Sequence, residues 1–274
     1  MFVQPIKRMI VRCLCIYCAL RYFNNPAIIF PILYSKAPKQ RYVIRMHSGM
    51  MLSIRATSGW SVSDMDILME NLVLNQYRIR EGVKTGGTIV DIGAHIGIFS
   101  LLAAYACPDA TVFAFEPQSE NFALLRENVA LNPRARIIPI NRAVAGDRTR
   151  TKLYFAPSNT GSHSLFGCGE NFEIVESTDL GTVLDGLPEK TIDLLKSDCE
   201  GAEFDMLMRA SIEDLSRIRR IVMEVHETVY TKDYRVEALL ARLAEAGLST
   251  TIQRRMGYSE KGVFHVAIAT RNIA

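Results

Sequence analysis

The chain has 274 residues, 49% of them hydrophobic and 22% charged, which predicts a packed globular core in one large domain or two small ones. The six cysteines show no spacing typical of a disulfide-rich secreted domain. Their spacing therefore argues against a disulfide-rich secreted protein and favours reduced thiols in a cytoplasmic protein.

Charge is distributed unevenly along the chain. Residues 1–63 contain nine Lys or Arg side chains and no Asp or Glu, whereas the remainder carries 23 basic and 29 acidic side chains. We therefore treat residues 1–40 as a basic, apolar N-terminal extension. Nucleic acid is not an expected partner, because the aromatic side chains of this extension form no interleaved pattern with its basic ones.

The apolar stretches of the extension, Met9–Leu20 and Ala27–Tyr34, are shorter than the ~20 residues that span a bilayer. Three interpretations stay open: a helix that covers the core, a peripheral contact with an anionic membrane surface, and a cleaved signal peptide. The first is favoured. Cys13–Cys18 contains three cysteines, which fit small buried helix residues better than a metal site that lacks a fourth ligand.

The remaining elements are taken in chain order. Tyr42–His47 and Met51–Ala56 are predicted to form a β-hairpin, and Ser63 is predicted to cap the helix that follows. From Thr88 onward, apolar strands alternate with helices, which is typical of a doubly wound α/β sheet. The predicted strands are Thr88–Ile92, Thr111–Phe115, Arg136–Ile140, Ile192–Ser197, Arg220–His226 and Val263–Thr270, and the predicted helices are Ile96–Ala106, Glu120–Leu131, Glu200–Arg209 and Val236–Ala246. Thr151–Leu187 is less regular, and we expect loops that cover a site there.

The segment Asp91-Ile-Gly-Ala-His-Ile-Gly97 lies where the first of these strands ends, and ligands bind at such strand ends in α/β sheets. A dinucleotide fingerprint counted from Gly93 needs glycine where this chain has His95 and Ile98. Glu116 ends the next strand and can accept hydrogen bonds from both hydroxyls of a ribose. Together these features predict an adenosine-containing ligand without pyrophosphate, as in S-adenosylmethionine.

Four segments together resemble the FkbM-type methyltransferase family: Asp91–Gly97, Phe115–Pro117, Asp193–Glu203 and Met223–His226. The similarity extends from about Tyr42 to Arg271, so residues 41–274 are predicted to form the methyltransferase domain. The resemblance implies a Rossmann-like class I methyltransferase fold, with a mostly parallel seven-stranded sheet and helices on both faces. The N-terminal helical and hairpin extension would precede it. It also implies S-adenosylmethionine as methyl donor and a hydroxyl acceptor on a saccharide, glycolipid or other natural product.

The resemblance places the donor against Asp91, Gly93, Ala94, His95, Gly97 and Glu116, with Asn141 on a turn near the adenine. The family usually has a small polar residue, often Asn, where this chain has His95. This chain therefore departs from the family pattern at the predicted donor contact of His95.

Ionisable side chains collect at the ends of the fourth and fifth predicted strands. We predict His226 or Asp198 as the base, with Glu200 and Glu203 holding acceptor hydroxyls. Glu224 is predicted to contact the substrate as well. The open alternatives are a capping box that uses Glu200 and a helix N-terminal role for Glu203.

Two further assignments complete the predicted site. His163 is either a substrate contact or a solvent-exposed loop residue. Asp198, Glu224 and His226 could also hold a divalent metal, which is not favoured because Lys196 would repel a cation there.

Two other functions compete with an O-methyltransferase. An NAD-dependent oxidoreductase would use Glu116 but is disfavoured by His95 in the glycine turn. A non-catalytic, membrane-associated protein could have kept the fold.

Overall fold

The computed structural model describes residues 3–34, 40–56, 64–74, 77–147, 149–155, 163–165, 170–228, 235–258 and 262–271. Its helices are α1 (Val3–Tyr22), α2 (Ile29–Tyr34), α3 (Asp64–Leu74), α4 (Ile98–Ala106), α5 (Ser119–Leu131), α6 (Leu180–Gly186), α7 (Ala202–Arg209), α8 (Ile212–Ser216) and α9 (Val236–Glu245). Its strands are β1 (Arg41–Arg45), β2 (Met51–Arg55), β3 (Thr88–Ile92), β4 (Thr111–Phe115), β5 (Ile137–Ile140), β6 (Ala143–Val144), β7 (Arg150–Tyr154), β8 (Phe172–Thr178), β9 (Leu194–Ser197), β10 (Arg220–Thr228), β11 (Leu248–Tyr258) and β12 (Gly262–Arg271).

The main sheet has seven strands in the order β11-β12-β10-β9-β3-β4-β5. The five strands from β10 to β5 run parallel. At one edge, β12 pairs antiparallel with β10, and β11 pairs antiparallel with β12. Every residue of β3 and β9 is buried, because helices cover both faces of the sheet. The predicted α/β fold is confirmed. From β3 the chain adds β4 and β5 on one side, and it later adds β9 on the other side of β3. This reversal of strand order leaves a crevice at the carboxyl ends of β3 and β9.

Parts of the predicted layout were wrong. The edge strand β11 was not predicted, and Thr151–Leu187 contains β8 and α6 in addition to loops. β7 and β8 pair antiparallel, and β8 also pairs with β6 in a separate three-stranded sheet. The predicted capping residue Ser63 lies outside the described residues.

The helix predicted to begin at Glu200 begins two residues later. Glu200 and Gly201 take left-handed φ angles of 53° and 105°, which an α-helix does not contain. The capping-box alternative for Glu200 is therefore wrong, because Gly201 caps α7 instead.

The N-terminal extension packs onto the core around the main sheet. Cys15, Cys18 and Phe23 are at most 1% exposed and belong to the same apolar cluster as Ile89 of β3. The interpretation of α1 as a helix that covers the core is therefore confirmed, while the domain boundary at residue 40 stays a prediction. None of the helices in the described ranges combines the length and hydropathy that membrane crossing requires.

Candidate active site

The turn between β3 and α4 is shaped by glycines and backbone hydrogen bonds. Gly93 and Gly97 have φ angles of 73° and 88°, which glycine adopts without steric cost. The N–H groups of Gly93 and Ala94 both donate to the carbonyl of Phe115 at the end of β4. A Cβ atom at Gly93 would overlap the carbonyl oxygen of Asp198, just after β9. The turn therefore lies directly against both neighbouring strand ends.

Asp91 supports this turn from behind. Its buried carboxylate accepts a hydrogen bond from the Ser100 hydroxyl at 2.6 Å and lies 3.2 Å from the Lys196 ammonium. Lys196 also donates to the carbonyl of Gly93 at 2.8 Å. Burial alone would lower the pKa of Lys196, but the carboxylates of Asp91 and Asp198 raise it above its usual value. Lys196 is therefore a cation that links Asp91 to the backbone of this turn.

A cleft opens beside the turn, at the carboxyl ends of β3 and β4. It encloses about 530 Å³ of empty space, part of which is open to solvent. The predicted site residues that line it are Gly93, His95, Glu116, His163, Asp198 and Glu200. Predicted site residues that are far apart in the sequence therefore lie together in one cleft.

Glu116 presents a buried carboxyl group to this cleft. One oxygen accepts the backbone N–H of His95 at 2.8 Å, and the other accepts that of Gln118 at 2.9 Å. Burial raises the pKa of Glu116 to about 7, although these two N–H groups oppose the shift. The side chain of Asn121 also donates a hydrogen bond to this carboxyl group. A carboxylate has about four acceptor positions, so about one remains for a ligand.

Asn141 shapes the rim of the cleft. Its side-chain amide donates to the carbonyls of Glu116 and Pro117 at 2.9 and 3.0 Å, which joins the end of β5 to the end of β4. Asn141 is exposed, and its neighbours Arg142 and Ala143 line the cleft. The predicted adenine contact of the turn Asn141–Ala143 stays a prediction.

His95 faces an N-terminal layer formed by β1, β2 and α3. Its Nε2 lies 3.0 Å from a guanidinium nitrogen of Arg55 and 3.5 Å from a carboxylate oxygen of Asp64. Burial lowers the pKa of His95 to about 4, so its imidazole is neutral at pH 7.

Glu203 lies beneath His226. Its fully buried carboxylate accepts the backbone N–H of His226 at 2.6 Å, lies 2.9 Å from its Nδ1, and accepts the N–H of Gly201 at 2.8 Å. Burial alone would lower the pKa of His226, but the carboxylates of Glu203 and Glu200 raise it well above its usual value. His226 is therefore a cation at neutral pH, which argues against its predicted role as base. Glu203 positions His226, and its burial leaves no room for the predicted acceptor contact.

Glu224 completes the cluster at the end of β10. Its carboxyl group accepts a hydrogen bond from the Tyr77 hydroxyl at 3.1 Å. Burial, together with the nearby charge of Asp198, raises the pKa of Glu224 to about 8. Single ligand atoms of Asp198, Glu224 and His226 all lie within 4.8 Å of one another.

Residues 91–259 match the methyltransferase FkbM domain family. This segment contains the turn between β3 and α4 and the cluster of Asp198, Glu224 and His226, called the acidic cluster below. The chain belongs to this family. It is a methyltransferase of the FkbM type, and the oxidoreductase alternative is dropped.

Three relatives show how far the similarity reaches. Methyltransferase sdnD of Sordaria araneosa is 30% identical over 185 residues, which cover 56% of this chain and 71% of the relative. The 31-O-demethyl-FK506 methyltransferase FkbM of Streptomyces tacrolimicus is 27% identical over 222 residues, with coverage of 66% and 84%. The hexuronic acid methyltransferase AglP of Haloferax volcanii is 28% identical over 184 residues, with coverage of 64% and 68%.

His163 lines the cleft of this FkbM-family methyltransferase. It is half-buried, and its ring packs edge-on against Phe155 at 5.3 Å between centroids. Burial lowers the pKa of His163 to about 4. The alternative of a solvent-exposed loop residue is therefore wrong, and the substrate contact stays a prediction.

Three residues of the site were missed by sequence analysis: Arg55, Asp64 and Tyr77. Arg55 carried one usable signal, since a cation at the end of the otherwise apolar strand β2 needs a buried partner. Tyr77 contacts a residue 147 positions away, and no local pattern predicts such a contact.

Proposed function

We propose that this methyltransferase transfers the methyl group of S-adenosylmethionine to a hydroxyl group of a saccharide or a related polyol. The observation that carries the proposal is the buried carboxyl group of Glu116 beside a turn that tolerates no side chain at Gly93. This pairing suits a ribose held at the end of β4 and a ligand that approaches the backbone closely at the end of β3.

The donor fits the residues that are present. Glu116 keeps an acceptor position for a ribose hydroxyl beside its bonds to His95, Gln118 and Asn121, and Arg142 and Ala143 border the proposed place for the adenine. When bound, S-adenosylmethionine supplies a methyl group on a positively charged sulfur. The protein contributes orientation, because aligning an acceptor oxygen with this methyl group accounts for much of the rate.

The charges of the cleft favour an acceptor rich in hydroxyl groups. Asp198 and Glu200 line the cleft with side chains 30% and 27% exposed, while Lys196 is turned back towards Asp91. Two carboxylates can accept hydrogen bonds from neighbouring hydroxyls and repel an acidic acceptor. A neutral or amino-bearing sugar therefore fits better than a uronic acid, the acceptor class in the name of the Haloferax volcanii relative.

Asp198 is the proposed base. His226 already carries a proton at neutral pH, and the raised pKa of Glu224 keeps that carboxyl group largely protonated. Asp198 would accept the hydroxyl proton while the acceptor oxygen attacks the methyl carbon. General-base assistance of this kind contributes about 10²- to 10⁴-fold in rate.

Calorimetric titration with S-adenosylhomocysteine tests the donor assignment. We expect micromolar binding that E116A loses and that E237A, a variant of an exposed residue on α9, retains. The acceptor is then sought by comparing neutral, amino and acidic sugars, with D198N expected to retain donor binding and lose turnover. No binding at millimolar ligand would overturn the proposed function.

A metal-assisted reaction is a second candidate, favoured by the close approach of Asp198, Glu224 and His226. Glu203 engages Nδ1 of His226, an arrangement that commonly directs Nε2 towards a metal. Lys196 opposes it, since its ammonium lies 4.0 Å from Asp198. Titration with Mn²⁺ alone distinguishes the two routes: binding that D198N and E224Q abolish supports the metal, and unchanged turnover in EDTA excludes it.

A further inference from the structure

A buried ion pair in the N-terminal layer contacts the turn Gly93–Gly97 between β3 and α4, which is the proposed donor turn. Arg55, at the end of β2, is 3% exposed, and Asp64, at the start of α3, is fully buried. The guanidinium of Arg55 binds both carboxylate oxygens of Asp64 at 2.8 and 3.0 Å, and its backbone N–H adds a third hydrogen bond at 2.8 Å. Both residues precede the segment 91–259 that matches the family.

Arg55 also contacts His95 at a chemically specific position. Its Nη2 lies 3.0 Å from Nε2 of His95, and a guanidinium can only donate hydrogen bonds. Nε2 therefore accepts, which assigns the proton of the neutral imidazole to Nδ1. The charged groups around this ring are Asp64, Arg55 and Lys196, with His163 nearby.

His95 connects this ion pair to the donor-binding carboxyl group. Its φ angle of 53° is disfavoured for a residue with a Cβ atom, so surrounding contacts must hold it there. The backbone N–H of the same residue donates to Glu116 at 2.8 Å. A ring fixed at one end by Arg55 therefore fixes the backbone that orients Glu116.

We propose that Arg55, fixed by Asp64, is a positioning residue of the methyl-donor site and acts through His95. The proposal rests on the proposed function, because it assumes that Glu116 and the turn bind S-adenosylmethionine. It extends the donor site into the N-terminal layer.

A double-mutant cycle tests the connection. S-adenosylhomocysteine is titrated into the full-length wild type, R55M, H95N and the R55M/H95N double variant. Arg41 supplies a matched control: it lies directly opposite Arg55 in the hairpin but forms an exposed ion pair with Glu127. We expect R55M to weaken binding about tenfold and R41M less than about twofold, because only the first contacts His95. In the H95N background, R55M should weaken binding by a further factor of less than about two.

The outcomes separate this proposal from the proposed function. Wild-type protein that binds no ligand overturns the proposed function. Binding that R55M leaves unchanged, or weakens equally with and without His95, overturns the role of Arg55 alone. Since R55M leaves Asp64 buried beside no cation and could prevent folding, ¹⁵N NMR of wild-type His95 gives a second test. We expect the Nδ1–H tautomer at pH 7, and either the Nε2–H tautomer or an imidazolium would refute the proposal.

Discussion

Glu116 should make donor binding depend on pH in a defined direction. Burial raises its pKa to about 7, and its ionised form is the better acceptor for a ribose hydroxyl. Protein that carries the protonated form must lose the proton before it binds, so the apparent affinity falls with the ionised fraction. With a pKa of about 7, that fraction rises from about one tenth at pH 6 to about nine tenths at pH 8. The affinity for S-adenosylhomocysteine should therefore increase roughly tenfold across this range.

Calorimetric titrations at pH 6, 7 and 8 measure this slope, and E116Q is the control. Glutamine keeps the shape of the side chain but does not titrate, so E116Q retains only the pH dependence of other groups. Glu224 is the main one, because its pKa of about 8 falls in the same window. A wild-type slope equal to that of E116Q, or an affinity that falls as the pH rises, would refute the assignment of Glu116 to the ribose.

Three further predictions concern other parts of the molecule. G93A should lower the free energy of unfolding by at least ~2 kcal/mol in urea melts and abolish donor binding. The reason is that the new Cβ would overlap the carbonyl oxygen of Asp198 while the backbone stays at a positive φ. A G93A protein that unfolds at the same urea concentration as the wild type would contradict this. E203Q should lower the pKa of His226 in an NMR titration, since it removes the buried anion that stabilises the imidazolium; an unchanged pKa would disprove that pairing. If α1 contacts anionic membranes, L20S should weaken sedimentation with phosphatidylserine vesicles about tenfold without altering thermal stability, because Leu20 is 67% exposed; equal sedimentation would exclude that contact.

The central fold could be predicted because its strands are buried on both faces. Thr88–Ile92 and Thr111–Phe115 were predicted with the bounds that the structure has, since uninterrupted apolar runs identify parallel strands. The edge strand Leu248–Tyr258 was missed because its sequence is rich in Ser, Thr and Arg, as suits a strand with one neighbour. Thr151–Leu187 was misjudged because Pro157, Gly161, Gly167 and Gly169 indicate loops, although β8 itself contains neither glycine nor proline.

The candidate site was predictable only where its residues are close in sequence. The spacing of Asp91, Gly93 and Gly97 predicted the turn between β3 and α4, and Glu116 followed from its place at the next strand end; their contact with the donor stays a prediction. Arg55 reaches the turn from 40 residues away through packing of the N-terminal layer, which no spacing rule encodes. Arg55 contacts His95, the position at which this chain departs from the expected pattern of the turn.

Charge states, rather than residue types, decide which member of the acidic cluster can act as base. A histidine at a strand end is a natural candidate because its ordinary pKa lies near neutrality. Here the buried carboxylate of Glu203 stabilises the imidazolium of His226, so the site that would accept a proton is already filled. Burial and the charge of Asp198 keep Glu224 largely protonated at neutral pH. Asp198 then remains as the part-exposed carboxyl group that lines the cleft beside the turn after β3.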